Sequence, residues 1–360
     1  MEAMKSWYLK LKPHATSIAF VLGFIWDSVM LRRTDLWFSN LMLTTYLVAA
    51  AACILLSAAE GAGKLRARMT PSRAQFLLLI IQFAFGSLFS GYIVFYSRSG
   101  SIVESWPFLL FLVCIFAGNE FLKRRLQQLT FQISILFVAA FSYSIFLLPT
   151  VIGSMSAGVF ILSGLLSLGV VRMFVALLAR TAPSLINENV RALRFSILGI
   201  YAFFNILYFT NSIPPIPLSL KEIGVYHKIT PVNTDSYSLR YEPTWFHFLA
   251  RKTSDIFHHS PNEPVYVASA VFAPTRIDAI IFHEWSYYDS ARDVWIVTDR
   301  LQFPISGGRD GGYRGYTTKS NITEGLWRVD VTTDRDQLIG RIRFEVVDNV
   351  SPEPLTEMVQ

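Results

Sequence analysis

The pattern of apolar and polar positions divides the chain in two. Up to about residue 212 apolar residues come in long runs, and beyond residue 263 they alternate with polar ones at a period of two. Seven runs approach the ~20 apolar residues that a membrane-spanning helix needs: 15–31, 36–59, 74–97, 106–121, 129–149, 151–171 and 195–212. None shows the strict alternation of a barrel strand, and a helix satisfies its own backbone hydrogen bonds where lipid offers none. The first run is short and carries Asp27, and Leu148-Pro149-Thr150 is expected to separate the fifth from the sixth. The sixth is rich in small residues, among them Ser163, Gly164 and Ser167, which would let helices pack closely.

The runs 265–272, 279–287, 294–303, 325–332 and 338–347 read as strands. Trp327, Val329 and Val331 alternate with Arg328 and Asp330, while Ile342, Phe344 and Val346 alternate with Arg341, Arg343 and Glu345. The charged positions are expected to share a solvent face as cross-strand pairs, joined through a turn at Thr333-Asp334-Arg335-Asp336. Ile281, His283, Trp285 and Tyr287 fall on one face, so Trp285 and Trp327 read as core. Strands at this spacing without intervening helices point to a small antiparallel β-sandwich. The fold class expected is therefore a polytopic α-helical membrane domain of about seven transmembrane helices over 1–212, followed by an all-β sandwich-like domain over 263–348. Residues 213–262 read as a Pro-rich linker and mixed connecting segment, and 349–360 as a tail. Pro214, Pro215 and Pro217 favour an extended exit from the last helix. Thr244 is placed to cap a short helix bearing Trp245, Phe246, Phe248, Leu249, Ile256 and Phe257.

Charge adds orientation. Residues 1–212 carry a balance of +10 and residues 213–360 one of −4. The basic excess therefore belongs to the helical half and is no nucleic-acid patch. Lys5, Lys10 and Lys12, then Lys64, Arg66, Arg68 and Arg73, then Lys123, Arg124 and Arg125, then Arg180, Arg191 and Arg194 occupy alternate connections. The intervening connections hold Arg32 and Arg33, then Arg98, then none. By the positive-inside rule the amino terminus is cytoplasmic and the β domain extracytoplasmic. The amino-terminal segment lacks a small-residue cleavage site and reads as a retained span. Both cysteines, Cys53 and Cys114, lie in apolar runs, so the β domain has no disulfide and no thiolate nucleophile.

Candidate chemistry is sparse. Within the spans, Asp27 is placed either to bind a cation or relay a proton, or to pair with Arg32 or Arg33 as a structural clasp. In the β domain the run from Ile305 to Tyr316, rich in glycine, offers Arg309, Asp310, Tyr313, Arg314 and Tyr316, with Lys319 just beyond, as an anion- or partner-binding loop. The alternative is an elaborate strand connection. No Gly-Lys-Ser/Thr follows it, so it is no nucleotide phosphate loop. His258-His259 and His283-Glu284 lack the spacing of a metal site, and neither a Gly-x-Ser-x-Gly elbow nor a His-Glu-x-x-His helix occurs.

Several carboxyl-terminal motifs occur in order: Pro214-Pro215-Ile216-Pro217-Leu218, Phe272-Ala273-Pro274-Thr275, His283-Glu284-Trp285, Gly307-Gly308-Arg309-Asp310-Gly311-Gly312-Tyr313-Arg314 and Trp327-Arg328-Val329. This series resembles the bacterial family called domain of unknown function 2914 over roughly the last 150 residues. The resemblance implies an envelope protein of the bacterial inner membrane and supplies no reaction and no catalytic residues. The expectation is a non-enzymatic scaffold or sensor, without cofactor, whose partners are the lipid bilayer and an envelope protein, glycan or anionic lipid. A transporter or channel regulated by the β domain is the alternative. An envelope enzyme acting on lipid-linked or cell-wall substrate has the least support, because no base–nucleophile pair is visible.

Overall fold

The computed structural model describes residues 24, 25, 27, 29, 31, 36–63, 71–121, 128–233, 236–243, 253–261, 263–275, 277–348 and 354–359. The chain folds as two compact units, one helical and one of β structure, and the β unit comprises Arg98–Ser105 with Pro214–Gln360.

Six helices are described: α1 (Trp37–Gly61), α2 (Pro71–Arg98), α3 (Ile102–Phe121), α4 (Leu129–Ile152), α5 (Ala157–Thr181) and α6 (Pro183–Phe209). Five of them are long and apolar enough to cross a membrane, while α3 contributes a shorter apolar stretch. The expected first span lies mostly outside the described residues, as do Arg32 and Arg33. Two boundaries differ from expectation. Helix α4 runs through Pro149 and stops at Gly153, whose φ of 78° makes the left-handed cap. In the last turn a proline removes only one hydrogen bond, and the Thr150 hydroxyl donates to the Phe146 carbonyl. Helix α6 begins at Pro183, twelve residues before the apolar run, because proline suits a first helical turn and the polar turns continue the same helix.

Small residues do bring α5 close. A Cβ on Gly164 would meet Tyr201 at 2.7 Å and Phe141 at 3.0 Å. Ser163 donates to the Ser144 carbonyl and Ser167 to the Ser144 hydroxyl, both at 3.1 Å. Each of these polar groups in the apolar interior thus has a partner on the neighbouring helix.

The β unit has eleven strands among the described residues: β1 (Ser219–Tyr226), β2 (Lys228–Asn233), β3 (Ser236–Tyr241), β4 (Ile256–His259), β5 (Val265–Phe272), β6 (Asp278–Asp289), β7 (Val294–Ser306), β8 (Tyr313–Lys319), β9 (Gly325–Thr332), β10 (Leu338–Asp348) and β11 (Thr356–Val359). They form sheets ordered β1-β5-β8, β4-β10-β9-β6-β7 and β11-β3-β2. Residues 213–262, expected as linker, instead supply four strands, and the expected tail supplies β11. Ile256 and Phe257 lie in β4, not in a helix, and the rest of that expected helix lies outside the described residues. One pair, β4 with β10, is parallel.

Alternation dictates the packing. Val225, Val265 and Val267 from the first sheet meet Trp285, Trp327, Val329, Ile342 and Phe344 from the second in one buried core. Tyr226, Ile229, Leu239 and Tyr241 make a second cluster, where β11-β3-β2 covers the other face of the first sheet. On the outer face of the five-stranded sheet Arg341 lies opposite Asp330 and bonds it at 2.5 and 2.8 Å. The like-charged pair Arg328 and Arg343, also in register, is held over the Trp295 ring at 4.8 and 5.8 Å.

The glycine run carries the chain from β7 in one sheet to β8 in the other. A Cβ on Gly307 would lie 1.6 Å from the Pro274 carbonyl oxygen, while the Gly307 and Gly308 amides donate to Ile277 and Ala273, both at 3.0 Å. A Cβ on Gly311, by contrast, would meet only the Arg314 guanidinium, at an ordinary contact distance of 4.0 Å. Gly307→Ala is expected to cost about 2 kcal/mol or more, by forcing backbone apart. Gly311→Ala should stay within about 0.5 kcal/mol. Thermal unfolding of the full-length protein in detergent checks this, and equal midpoints for the two variants would contradict it.

Candidate functional site

The outer face of the β1-β5-β8 sheet is floored by residues with little or no side chain. Gly224, Ala268 and Tyr316 share one cross-strand row, and Glu222, Ala270 and Arg314 share the next. The small residues leave a cleft walled by Glu222, Tyr226, Tyr237, Arg314 and Tyr316. Tyr316 is 37% exposed, with Tyr237 and Tyr266 edge-on or tilted against it at 5.8 and 6.2 Å. The Nε of Arg314 is buried and has no hydrogen-bond partner. An orphaned buried donor of this kind costs about 1–3 kcal/mol, and more when charged, unless an acceptor arrives. The cleft encloses about 20 Å³. That admits one water-sized group, so it suits a single acceptor group projecting from a larger partner better than an engulfed small molecule.

The other loop residues divide. Arg309 and Asp310 form the exposed tip, with the Arg309 guanidinium 5.1 Å from the Tyr313 ring. Tyr313 opens β8 opposite Val271. Lys319 does not face outward with them: it is paired with Asp299 and lies 5.2 Å over the Trp327 ring. Gly312 has φ +82° and, like Gly307, sits where a side chain would strike backbone, here that of Val271 at 2.9 Å. Gly307 and Gly312 therefore serve the crossing between sheets, and of the aromatic and basic residues around them Arg314 and Tyr316 line the cleft. Asp27, in the helical unit, is buried beside Ser90.

Sequence reasoning missed a buried histidine–carboxylate network. His227, between β1 and β2, meets Glu242 through Nε2 at 2.9 Å and Glu263 through Nδ1 at 2.8 Å. Carboxylates only accept, so both ring nitrogens donate and the imidazole is cationic. Glu242 also accepts from the His258 amide and lies 2.8 Å from His258 Nδ1. His259 approaches the Glu263 carbonyl at 2.9 Å, and His227 stacks on Phe257 at 4.1 Å. Burial alone would lower the His227 pKa, but the hydrogen bonds and charges of Glu242 and Glu263 outweigh it and raise the value to about 9. Burial would raise Glu242 and Glu263, and their histidine contacts bring both below the ordinary carboxylate value. His283 is the opposite case. It is fully buried between Ser269 at 2.8 Å and Thr317 at 2.9 Å, and burial pushes it down to about 3, so it is neutral. Among the described residues no cluster of three or more His, Cys, Asp or Glu could hold a metal ion.

Residues 278–346 match a family, Protein of unknown function (DUF2914). The DUF2914 match runs from β6 into β10 and takes in the glycine crossing, Arg314 and Tyr316, but not β1, β2, β3 or β5, which complete the cleft. No curated protein matches the chain. Among solved structures it is similar to a β-glucosidase from Listeria innocua in complex with gluconolactone, at 12% identity, 26% coverage of this chain, 14% of that one and a TM-score of 0.19. It is also similar to Pseudomonas fluorescens alkylpurine DNA glycosylase AlkC bound to DNA containing an abasic site analog, at 10% identity, 87% and 99% coverage and a TM-score of 0.21. The chain thus spans about 14% of the glucosidase's length, and at these TM-scores neither likeness bears on fold or function.

The His227 network gives a pH signature. A histidine whose pKa rises on folding stabilises fully below its ordinary 6.5, and the contribution fades as pH climbs through about 9. Carboxylates whose pKa falls stabilise above their ordinary 4.5, and lose that contribution as pH drops below it. Buried His283 acts in the opposite sense, because a folded pKa of about 3 withdraws stability as pH falls below 6.5. Unfolding midpoints of the full-length protein should therefore be highest near pH 6.5. His227→Gln should flatten the decline between pH 6.5 and 9; an unchanged alkaline slope would remove the network as its cause.

Proposed function

We infer that this chain is a non-enzymatic envelope protein of the bacterial inner membrane, anchored by its helices. Its β unit, a sandwich-like fold outside the cytoplasm, recognises a partner as a scaffold or sensor. The observation that carries this reading is the partnerless Nε of Arg314 in a tyrosine-walled cleft sized for one polar group. The partner class is an envelope protein or glycan that presents a carboxylate or carbonyl oxygen to Arg314 and packs on Tyr237 and Tyr316, as tyrosines do in recognition surfaces.

Orientation draws support from connectivity as well as from loop charge. Arg98–Ser105 belongs to the β unit, and four helices, α3 to α6, separate it from Pro214. An even number of crossings returns the chain to the side it left, so α3 is counted as a span despite its shorter apolar stretch. The basic positions at 64–73 and 123–125, with Arg180 at the end of α5 and Arg191 and Arg194 in the first turns of α6, then all fall on the opposite side, which is the cytoplasmic one. A cysteine at Asp310, in a chain whose own two cysteines are replaced, should react with a membrane-impermeant maleimide in intact spheroplasts. One at Lys64 should react only after lysis, and the reverse pattern would invert the topology.

Recognition is tested in native membranes with a photo-crosslinking amino acid at Tyr316. A discrete adduct is expected, and Arg314→Ala should reduce its yield about tenfold, the value of one charge-assisted hydrogen bond. An adduct indifferent to Arg314→Ala would take the cleft out of the reading.

A further inference from the structure

We propose that β8 is a docking edge: an extended segment of a partner protein adds to it as a further strand and sets a carboxylate side chain against Arg314. The inference rests on the recognition reading above and chooses a protein over a glycan. Strand β8 is the last of its sheet, paired with β5 on one side and with no described strand on the other. Such an edge presents a row of backbone donors and acceptors, and proteins blunt it with short strands, prolines or bulges. Every other edge among the described strands has such a device. Strands β4 and β11 are four residues long, and β2 contains Pro231. The register of β1 breaks between Leu220 and Glu222, and that of β7 at Thr298, with Pro304 beyond it. Strand β8 runs for seven residues in unbroken register and without proline.

What β8 carries instead is a charge. Alternation puts Arg314, Tyr316 and Thr318 on the cleft face, while Lys319 at its end is turned to Asp299. The Nε of Arg314 is buried without a hydrogen-bond partner. Glu222 shares its cross-strand row but lies two strands away, beyond Ala270, which is about 10 Å across the sheet. A strand added on the free side of β8 comes within about 5 Å, on the side away from Glu222.

Charge selects the occupant. The residue of the added strand that faces Arg314 forms a cross-strand pair, where opposite charges attract and like charges repel. An acid there supplies the acceptor that the guanidinium lacks, and the residue two positions away packs against Tyr316, which is 37% exposed. Main-chain bonds along the edge give affinity, and the alternate side chains give specificity. A second copy of β8 does not qualify, because Tyr-Arg-Gly-Tyr-Thr-Thr-Lys holds two cations and no acid. The small cleft agrees with this mode, since only the tip of one side chain enters it and the backbone stays on the edge.

The test titrates full-length protein in detergent with the fluorescent heptapeptide Thr-Val-Thr-Glu-Thr-Val-Thr, read by anisotropy. Its symmetry places a valine at Tyr316 whichever way the strand runs. Replacing its Glu by Gln should weaken binding about tenfold or more, the value of a charge-assisted hydrogen bond. Arg314→Ala should erase that difference. A strand bonds its neighbour through alternate residues, so peptides N-methylated at odd or at even positions should part company. One should lose about tenfold or more, and the other should bind as before. These peptide changes decide the matter even if Arg314→Ala does not fold. No peptide binding, equal effects of the two methylation patterns, or a Glu-to-Gln difference untouched by Arg314→Ala would each overturn the proposal. So would binding of tetragalacturonate, an acidic glycan, in the peptide's stead. The Tyr316 adduct in native membranes answers separately. If it forms and depends on Arg314 while both methylation patterns act alike, recognition stands and strand addition falls.

Discussion

Where the chain passes from β7 to β8, its backbone lies against the Ala273-Pro274 carbonyls with no room for a side chain at Gly307. That close approach decides the rest of the β unit. It hands the chain from one sheet to the other, which places Val265 and Val267 over Trp285 and Trp327 to close the core. It also fixes the register of β8 on β5, and so sets Arg314 beside Ala270 and Tyr316 beside Ala268. The tyrosine-walled cleft is in this sense a by-product of the crossing.

Polar interactions then secure what the core leaves open. The His227 network joins the β1–β2 connection to the residue after β3 and to the segment around β4. Buried charge is costly unless every hydrogen bond is made, and here both imidazole nitrogens and the carboxylate oxygens around them have partners at 2.8–3.2 Å. The Arg341–Asp330 pair and the Arg328 and Arg343 cations over Trp295 play the same part on the outer sheet face. With no cysteine in 213–360, no disulfide contributes to holding these segments together.

How much of this is legible in the sequence follows from what each element needs. Strand β10 and the middle of β6 bury alternate residues, and β5 is a short apolar run covered on both faces, so these patterns are visible. Strand β8 is Tyr-Arg-Gly-Tyr-Thr-Thr-Lys and β2 contains Pro231, while β4 and β11 have four residues each. These are held by pairing with stronger neighbours and carry little pattern of their own. In the candidate site, glycine density and the flanking Arg and Tyr residues draw attention to Arg314 and Tyr316. Lys319 misleads, because a cation paired with a carboxylate looks the same in sequence as a free one. The partners of His227 lie 15 and 36 residues away, and no local spacing brings Glu242 or Glu263 to one imidazole. Only the fold does.

The pairing order has a consequence for how such a domain is made. Among the described strands β1, first to emerge, pairs with β5, and β4 waits for β10. Strand β3 needs β11, at residues 356–359, before its outer edge is covered. Chain elongation and, in the proposed topology, transfer across the bilayer would deliver these strands long before their partners. The nascent β unit is therefore a run of open edges, the condition in which strands aggregate or pair wrongly. A domain assembled from end to beginning in this way places its heaviest demand on chaperoning in the interval before β10 and β11 arrive.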